Sequence, residues 1–366
     1  GGVLFAAFTG KAVLVMTRKG TPAQTIHSLI YRHSEASPEE IARVSEELAA
    51  LERDLPRMGV AERGFAEAQI AQLKLRLDHI HEPQFVLNPQ SDLRDADLLV
   101  LDEVSMVGTD MAQDLLAFGK PILVLGDPGQ LPPVKSTGFF TEAAADVMLT
   151  EVHRQAADSP ILRLATMARQ GEPIPFGAFD DQVWKMSRQE VGPAQMLQGE
   201  QVICGTHATR RRLNNAMKGA AGFDADYPTG AGEKIICLRN RHDLGLINGM
   251  FLTLTDVRAH LHNDRAFHAS VQTDDGACVS GAQEFWRGEF DDHVRFDPDR
   301  HRREWMACRG LIQSSWGYAI TCHKAQGSQW QNIVVFDDGF GRTTEDRNRW
   351  LYTAITRAER GLLILS

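Results

Sequence analysis

The chain has 366 residues, of which 43% are hydrophobic and 24% charged, and its formal net charge is −9. This length predicts two to three domains with sizeable cores, and the acidic balance argues against a protein that coats nucleic acid, although it is compatible with a local basic groove. No apolar run approaches the ~20 residues that cross a bilayer and no secretory signal opens the sequence, so we expect a cytoplasmic protein without a membrane partner.

The first predicted element is an apolar strand over residues 3–8, which turns at Thr9-Gly10 into a helix. The chain enters this strand almost at its first residue, so we expect the natural start of the protein to lie upstream. Five cysteines are spread along the sequence without a C-x-x-C pair, which predicts reduced thiols and no disulfides.

The pair Gly10-Lys11 suggests a P-loop, the backbone cradle that binds nucleotide phosphates. That motif requires Gly, four residues, Gly-Lys and then Ser or Thr. Phe5 stands where the first glycine is needed, and Ala12 stands where the hydroxyl is needed. The stretch is therefore not a P-loop, and no other segment of the sequence matches the pattern.

The segment from Ser37 to Ile80 is charged and helix-forming. Ser37 is a predicted N-cap, Pro38 fits the first helical position, and acidic residues fill the first turn. The pattern predicts a helical insertion. A purely structural role and a DNA-facing role fit it equally well.

Short apolar runs that end in charged residues or glycine follow, at 97–103, 121–127, 201–205, 332–338 and 361–366. Such strands, alternating with helical segments, predict an α/β fold with a parallel sheet covered on both faces. Sites on these sheets lie at the carboxyl ends of the strands. Residues 250–310 alternate in polarity instead, which predicts a small antiparallel β insertion.

Polar residues of hydrolytic type stand at two predicted strand ends. Asp102 and Glu103 follow an apolar strand, and such a pair can organise Mg²⁺ and activate water. Gln130 lies in the rigid turn "GDPGQLPPV", where a glutamine can sense a phosphate. Arg154 and Arg357 could converge on the same phosphate. Taken singly, Asp102 and Glu103 are better explained as a solvated acidic turn, and a plain β-turn and surface salt bridges are the simpler explanations for the other residues.

The predicted β insertion also contains residue types that can bind metal. His260, His262 and His268 precede Cys278 and Cys308. Their spacing fits no finger or ribbon pattern, so we interpret the histidines as exposed polar residues.

The stretches together resemble the superfamily 1 DNA helicases, specifically the RecD-like branch that includes the exonuclease V alpha subunit. The matching stretches are "FAAFTGKAV", "TIHSLIY", "LLVLDEVSMV", "LVLGDPGQLPPV", "LTEVHRQ", "YAITCHKAQGSQWQNIVV" and "LYTAITRAERGLLIL". The resemblance implies two RecA-like parallel-sheet domains of the P-loop NTPase type. The first, residues 1–155, would be incomplete and carry the helical insertion at about 35–85. The second, residues 156–366, would carry an SH3-like β insertion at about 250–312.

By the same resemblance, ATP and Mg²⁺ bind between the two domains. Asp102 would organise Mg²⁺ through water, Glu103 would activate the attacking water, and Gln130 would couple the γ-phosphate to DNA. The remaining residues implied near the nucleotide are Arg154, Arg357, Gln326 and Gly327.

Single-stranded DNA is the implied partner, and the stretch "FAAFTGKAV" resembles the family segment whose loop touches the strand. The residues implied to contact DNA are Phe8, Thr9, Gly10, Lys11, His27, Thr206, His207, Thr321 and His323. The resemblance implies an ATP-dependent helicase or translocase, moving 5′ to 3′, in recombination, repair or replication, encoded by a bacterium or phage. Without a P-loop, we expect this chain alone to be deficient in ATP hydrolysis. The alternative is a naturally P-loop-less DNA-binding or structural subunit of a helicase or nuclease complex.

Overall fold

The computed structural model describes residues 2–34, 38–79, 84–134, 138–149, 159–223, 225–274, 276–290, 307–308 and 310–366. The strands are β1 (Val3–Ala7), β2 (Gln24–Thr25), β3 (Tyr31–Ser34), β4 (Gln84–Leu87), β5 (Leu98–Asp102), β6 (Ile122–Val124), β7 (Gly177–Ala178), β8 (Val183–Met186), β9 (Gln201–Cys204), β10 (Lys234–Cys237), β11 (Phe251–Ala259), β12 (Ala266–Thr273), β13 (Gln283–Trp286), β14 (Ser314–Trp316), β15 (Ala319–Thr321), β16 (Trp330–Phe336) and β17 (Ala358–Leu365). The helices are α1 (Gly10–Arg18), α2 (Ile26–Ile30), α3 (Pro38–Asp54), α4 (Val60–His79), α5 (Thr109–Leu116), α6 (Phe139–Glu142), α7 (Pro160–Gln170), α8 (Pro193–Met196), α9 (His207–Ala220), α10 (Cys322–Ala325) and α11 (Thr344–Ile355).

The first half of the chain is built on a parallel sheet with the order β2-β1-β5-β6. Its central strand β5 is apolar and largely buried, whereas Val3 of β1 and Leu123 of β6 are each 49% exposed, so helices do not cover both faces as completely as the sequence predicted. Leu99 and Leu101 are fully buried, and they pack with Ile26 and Ile30 of α2 and Leu115 of α5. The predicted α/β fold with parallel sheets is confirmed.

Helices α3 and α4 pack against each other, and in the chain they lie between the two paired strands β3 and β4. Val44 and Leu73 are buried between the helices, and smaller contributions come from neighbouring leucines. Two exposed salt bridges join the two helices: Lys74 with Glu52 at 2.7 Å, and Arg76 with Glu40 at 2.9 Å. The predicted cap Ser37 lies outside the described residues.

The second half is built on a six-stranded sheet with the order β15-β9-β16-β17-β8-β7, parallel except for the β7-β8 pair. Helices α7 and α11 pack together on this sheet. Trp350 of α11 is fully buried between the helices and strands β16 and β17. The sheet brings the carboxyl ends of β9, β15 and β16 to one edge.

The antiparallel sheet is larger than the predicted 250–312 segment. Its order is β13-β12-β11-β10-β14, so it begins at Lys234 and ends at Trp316. Strands β10 and β14 pair side by side and share one core with the six-stranded sheet. The apolar run at 234–237 carries no signal for antiparallel pairing, because that pairing is decided by distant strands.

A buried asparagine covers the outer edge of the six-stranded sheet. Asn214 of α9 is fully buried, and its amide donates to the Ala319 carbonyl at 2.8 Å. Its amide oxygen accepts from the Ala319 backbone N–H at 2.9 Å. The side chain thus makes the two bonds that another strand would make with β15. Helix α9 is thereby held against the sheet edge.

Asn214→Ala tests this contact. The variant leaves the N–H and C=O of Ala319 buried without partners, so we expect the free energy of unfolding to fall by about 2–4 kcal/mol. Urea unfolding of both proteins gives the difference. The neighbouring Asn215 is exposed, and Asn215→Ala should change stability by less than about 0.5 kcal/mol. Equal losses in the two variants would contradict the role of Asn214.

Candidate functional site

Strand β5 delivers two carboxylates to its carboxyl end. Asp102 is the last residue of the strand, and its Oδ1 accepts the backbone N–H of Glu103 at 2.9 Å. Glu103 has φ 53° and ψ 48°, a left-handed conformation that is unfavourable for a side chain with a Cβ. A tight turn over Val104–Met106 follows directly. The backbone therefore bends sharply where the second carboxylate leaves the strand.

The Glu103 carboxyl lies in a half-buried environment with charged neighbours. Burial raises the pKa of its carboxyl, and the nearby carboxylates of Asp102 and Asp127 raise it further. The guanidinium of Arg357, which comes from the second half of the chain, opposes this rise in the pKa. A carboxylate with a raised pKa and a facing cation is a suitable general base.

The predicted "GDPGQLPPV" turn follows β6 at the neighbouring strand end. Asp127 Oδ1 accepts the Gly129 N–H at 2.8 Å, and the Gln130 N–H donates to the Asp127 carbonyl at 3.2 Å. Both bonds close the loop on itself. The loop therefore holds the backbone of Gln130 in one place beside β5.

Three hydrogen bonds join this loop to the second half of the chain, and we call them the loop-helix seam. The Tyr352 hydroxyl of α11 donates to Asp127 Oδ2 at 2.5 Å. The Leu131 N–H donates to Thr353 Oγ1 at 2.9 Å. Gln326 Nε2 donates to the Leu131 carbonyl at 2.9 Å. The seam flanks Gln130 on both sides and fixes it relative to α11.

Arg357 follows α11 and is 5% exposed. Its Nε donates to the Thr353 carbonyl at 3.1 Å, its Nη1 to the Ser328 carbonyl at 3.3 Å, and its Nη2 to Thr356 Oγ1 at 3.1 Å. These bonds hold the guanidinium in place near Glu103. The structure thus places Asp102, Glu103, Gln130, Arg357 and Gln326 in one region, whereas Arg154 lies outside the described residues.

Two buried amide oxygens at this site have no hydrogen-bond partner within the described residues. They are Oε1 of Gln130 and Oε1 of Gln326. A buried carbonyl-type oxygen without a donor is costly, so a ligand or water that donates to it is expected to bind. Because these oxygens accept hydrogen bonds, they fit a water molecule and not phosphate oxygens, which are acceptors themselves. The neighbouring Asp102 carboxylate is a ligand of the type that Mg²⁺ takes. The sequence offers no P-loop for nucleotide phosphates.

Sequence reasoning missed Asp127, Tyr352 and Thr353. All three lie inside the quoted "GDPGQLPPV" and "LYTAITRAER" stretches, so their motif membership was visible. Which polar side chain of one stretch bonds to the other could not be read from the sequence, because it depends on how the two halves dock.

The loop after β1 packs against the second half of the chain. Thr9 caps α1, accepting the Ala12 N–H at 3.2 Å. Gly327 has φ +73°, and a methyl group there would come within 2.7 Å of Thr9 Oγ1. A methyl group at Gly10 would meet Ile247 Cγ2 at 2.1 Å. Both glycines therefore permit a close approach between the two halves.

Lys11 lies in the same contact. Its ammonium is 5.0 Å from the ring centroid of Phe251 and 4.9 Å from that of Trp330. Burial lowers the pKa of Lys11. Gly10 and Lys11, for which the resemblance implies DNA contact, here also contact the second half of the chain, where the Phe251 and Trp330 rings give the lysine a cation-π partner.

Phe8 and His27 lie in an aromatic cluster beside this loop. The His27 ring is 5.9 Å from Phe8, 5.6 Å from Tyr31 and 5.9 Å from Phe85, measured between centroids. Burial lowers the pKa of His27. Phe85 is 54% exposed, so the cluster presents an aromatic surface. Tyr31 and Phe85 were not predicted, since residues 27 and 85 lie far apart in sequence.

Thr206 and His207 begin α9 at the carboxyl end of β9. Thr206 Oγ1 accepts the Thr209 N–H at 3.2 Å, and it donates to Asp338 Oδ2 at 2.9 Å. His207 is exposed. The nearby Thr321 is 7% exposed and begins α10. Only a small part of the Thr321 surface is therefore accessible to solvent.

His323 of α10 is packed between the two halves. Its ring meets Phe340 edge-on at 5.8 Å, and burial lowers its pKa, while a hydrogen bond to the Pro132 carbonyl opposes the shift. Pro132 follows the Gln130 loop. His323 therefore links α10 to that loop.

Comparison with known families gives the relationship of the chain. Residues 1–184 match the model described as AAA domain, and residues 317–365 match the model described as UvrD-like helicase C-terminal domain. The first match covers half of the chain. The chain belongs to the AAA domain family. These two matches, together with a curated RecD2 helicase relative, confirm the resemblance of this AAA domain protein to superfamily 1, RecD-like helicases.

A curated relative is the ATP-dependent RecD2 DNA helicase of Deinococcus radiodurans. The AAA domain protein is 27% identical to it over 289 residues. The match takes in 72% of this chain and 35% of the relative, so the chain spans about a third of that helicase.

Solved structures share the fold. The Bacteroides Pif1 helicase in complex with ADP-AlF3 and ssDNA gives a TM-score of 0.50 at 16% identity, covering 99% of this chain and 82% of that one. A Pif1 structure concerned with DNA unwinding at forked dsDNA gives a TM-score of 0.50 at 17% identity, and the match covers 99% of this chain and 81% of that one. The AAA domain protein thus has a helicase-type α/β fold. Within its described residues, no helix combines the length and apolar character needed to cross a membrane.

Glu103→Gln is expected to stabilise the fold at neutral pH. Because the pKa of Glu103 is raised in the folded state, its stability cost grows as pH rises from the ordinary glutamate pKa through the raised one. The amide variant avoids ionisation, so its free energy of unfolding should exceed that of the native protein at pH 7, with the difference shrinking toward low pH.

Chemical unfolding at a series of pH values measures this difference. Glu172 is an exposed glutamate, and Glu172→Gln serves as the control with no expected change. A native protein that is more stable than Glu103→Gln at pH 7 would contradict the proposed cost.

Gly327→Ala tests the contact between the two halves. Both Gly327 and Gly339 have positive φ, +73° and +76°, but a methyl group at Gly339 meets nothing within 4 Å. In Gly339→Ala, the free energy of unfolding should therefore fall by about 1–2 kcal/mol, from backbone strain alone. In Gly327→Ala, the free energy of unfolding should fall by about 1–3 kcal/mol more than in Gly339→Ala, because the added methyl group would overlap Thr9. Equal thermal shifts in the two variants would show that the loop does not pack on Gly327.

Proposed function

We propose that the protein is an ATP-dependent DNA helicase or translocase of the RecD-like type that acts on single-stranded DNA. The observation that carries this proposal is the site at the carboxyl end of β5. There Glu103, strained and half-buried, interacts with the cation Arg357 from the other half of the chain. Hydrolysis sites shared between two domains can couple turnover to domain movement.

In the proposed reaction, Asp102 would face the Mg²⁺ of the bound nucleotide. The metal-nucleotide complex would supply the reactive γ-phosphate. Glu103 would accept a proton from the attacking water, and the unpartnered Oε1 of Gln130 would orient that water. Arg357 would neutralise charge that develops on the phosphate. Gln326 and Gly327 would line the second-half face, and we propose Arg154 as a further cation.

The loop-helix seam supports coupling between nucleotide and DNA. Because Asp127 and Leu131 bond to α11 on either side of Gln130, a change at the phosphate would be passed to the second half. His323 touches the same loop through Pro132. Opening and closing of the contact would then move the DNA-facing surface.

The proposed DNA-contacting residues lie on both halves. They are Phe8, Thr9, His27, Thr206, His207, Thr321 and His323, and Gly10 and Lys11 would join them only when the two halves separate. Aromatic rings such as those at Phe8 and His27 suit base stacking, and hydroxyl and amide groups suit the backbone. We therefore propose binding with weak sequence preference.

Several finer proposals rest on the family resemblance or on sequence. They are movement from 5′ to 3′, a role in recombination, repair or replication, partners in a helicase or nuclease complex, and a cytoplasmic protein from a bacterium or phage. We also propose residues 1–155 and 156–366 as the two motor domains. Because no P-loop occurs in its sequence, this chain alone is proposed to bind DNA without hydrolysing ATP.

A second candidate is a naturally P-loop-less DNA-binding or structural subunit. The same missing motif favours it, since the remaining site residues would then serve binding and not turnover. The two functions differ in one respect that can be measured, namely whether the natural gene product hydrolyses ATP.

The test combines DNA binding by this chain with ATP hydrolysis by the natural gene product. Fluorescence anisotropy should show binding of a single-stranded oligonucleotide that weakens as salt rises. In the natural product, hydrolysis should be stimulated by DNA, and Glu103→Gln should lower the turnover rate by roughly a hundredfold or more while nucleotide binding persists. Glu172→Gln is the matched control. Absence of DNA binding would overturn the helicase and any DNA-binding subunit, and would leave only a structural subunit. DNA binding without hydrolysis by the natural product would favour the second candidate.

A further inference from the structure

Three side chains with metal-binding atoms meet on the antiparallel sheet, away from the site described above. They are His260, His268 and Glu284, and their candidate donor atoms all lie within 4.8 Å of one another. The two histidines are half-buried and the glutamate is exposed. We call this group the His-His-Glu cluster.

Strand register explains why the three residues meet. His268 of β12 stands directly opposite Glu284 of β13 and, on its other side, opposite Arg258 of β11. His260 lies two residues beyond Arg258, so it points to the same face. The neighbours of His268, Phe267 and Ala269, are buried on the core face. The cluster therefore lies on the outer face, which solvent can reach.

The side chains of the cluster already contact one another. The rings of His260 and His268 are stacked at 4.7 Å with an interplanar angle of 10°. His260 Nε2 is 3.5 Å from Glu284 Oε1. Two imidazoles and one carboxylate, from β12, β13 and the residue that follows β11, are thus assembled before any ligand is added.

We propose that the His-His-Glu cluster binds one divalent transition-metal ion of the Zn²⁺ class. Imidazole nitrogens with a carboxylate oxygen are ligands that Zn²⁺ prefers, whereas Mg²⁺ takes oxygen ligands. Three protein ligands leave the fourth position to water, so the ion is exchangeable. The site is separate from the carboxylates of β5, and the proposal does not depend on the function proposed above.

Binding requires small movements that the surface permits. Ligands of a tetrahedral ion with bonds of about 2.1 Å lie roughly 3.4 Å apart, so the rings must tilt out of the stack. The His262 backbone N–H now donates to His260 Nδ1 at 3.2 Å. Coordination through Nε2 moves the ring proton to Nδ1 and gives up that bond, which lies in an exposed turn. The positive charge of Arg258 is countered by Asp256 at 2.8 Å.

A bound ion would brace the antiparallel sheet. The cluster ties the end of β11 to β12 and β13, and these strands pack onto the core shared with the six-stranded sheet. Since ligands held only in the folded state transfer binding energy to folding, the ion is expected to raise the thermal stability of the protein.

Zinc titration of the metal-free 366-residue protein tests the proposal, in a Cys278→Ser background because Cys278 is an exposed thiol. Calorimetry near neutral pH should show one ion per chain. His268→Ala and His260→Ala should weaken Zn²⁺ binding at least about tenfold, a scale that even outer-shell partners reach. Glu284→Gln tests the carboxylate without altering size. His262→Ala removes a histidine two residues from His260 that is not in the cluster, and it should bind like the parent.

The same titration can overturn the proposal. No binding by the parent protein would do so, as would undiminished binding by His268→Ala or an equal loss in His262→Ala. Thermal melts with and without Zn²⁺ give a second readout, in which the parent and His262→Ala gain stability and His268→Ala does not. A gain of equal size in His268→Ala would assign the effect to another site. Circular dichroism of each metal-free variant confirms that it is folded.

Discussion

The loop-helix seam is the contact on which the candidate site depends. Asp102 and Glu103 belong to one sheet, whereas Arg357 follows a helix packed on another. The docking of the Gln130 loop on α11 helps to place the guanidinium near Glu103. The seam is made of directional hydrogen bonds in a partly buried setting, so it has one preferred geometry. A displaced seam would leave both carboxylates intact and still separate them from their cation.

Glu103 shows how such a site differs from the core around it. The apolar residues of β5 that precede Asp102 have regular strand geometry, and their burial favours the folded state. Glu103 departs from this in two ways, through its left-handed backbone and through the burial of its carboxylate. Strain of this kind persists only where surrounding structure enforces it. Here the enforcing structure is the strand before it and the Val104–Met106 turn after it.

Much of the fold was predictable because continuous apolar runs identify buried parallel strands. The strand ends were predictable for the same reason, and with them Asp102, Glu103 and Gln130. The sequence could not show that Lys11 lies over Phe251 and Trp330, since a turn lysine suits DNA and an aromatic pair equally well. Nor could it show that Lys234–Cys237 joins the antiparallel sheet. Glu284 enters the His-His-Glu cluster only through strand register, which residue spacing does not reveal.

Asn214 gives the edge of the six-stranded sheet an unusual dynamic property. Amide hydrogens on the outer side of an edge strand normally exchange with solvent quickly, because nothing has to unfold to expose them. The Ala319 amide is bonded to a side chain of α9 instead. It can exchange only when that helix moves away from the sheet. The exchange rate of this one amide therefore reports how often α9 undocks, independently of global unfolding.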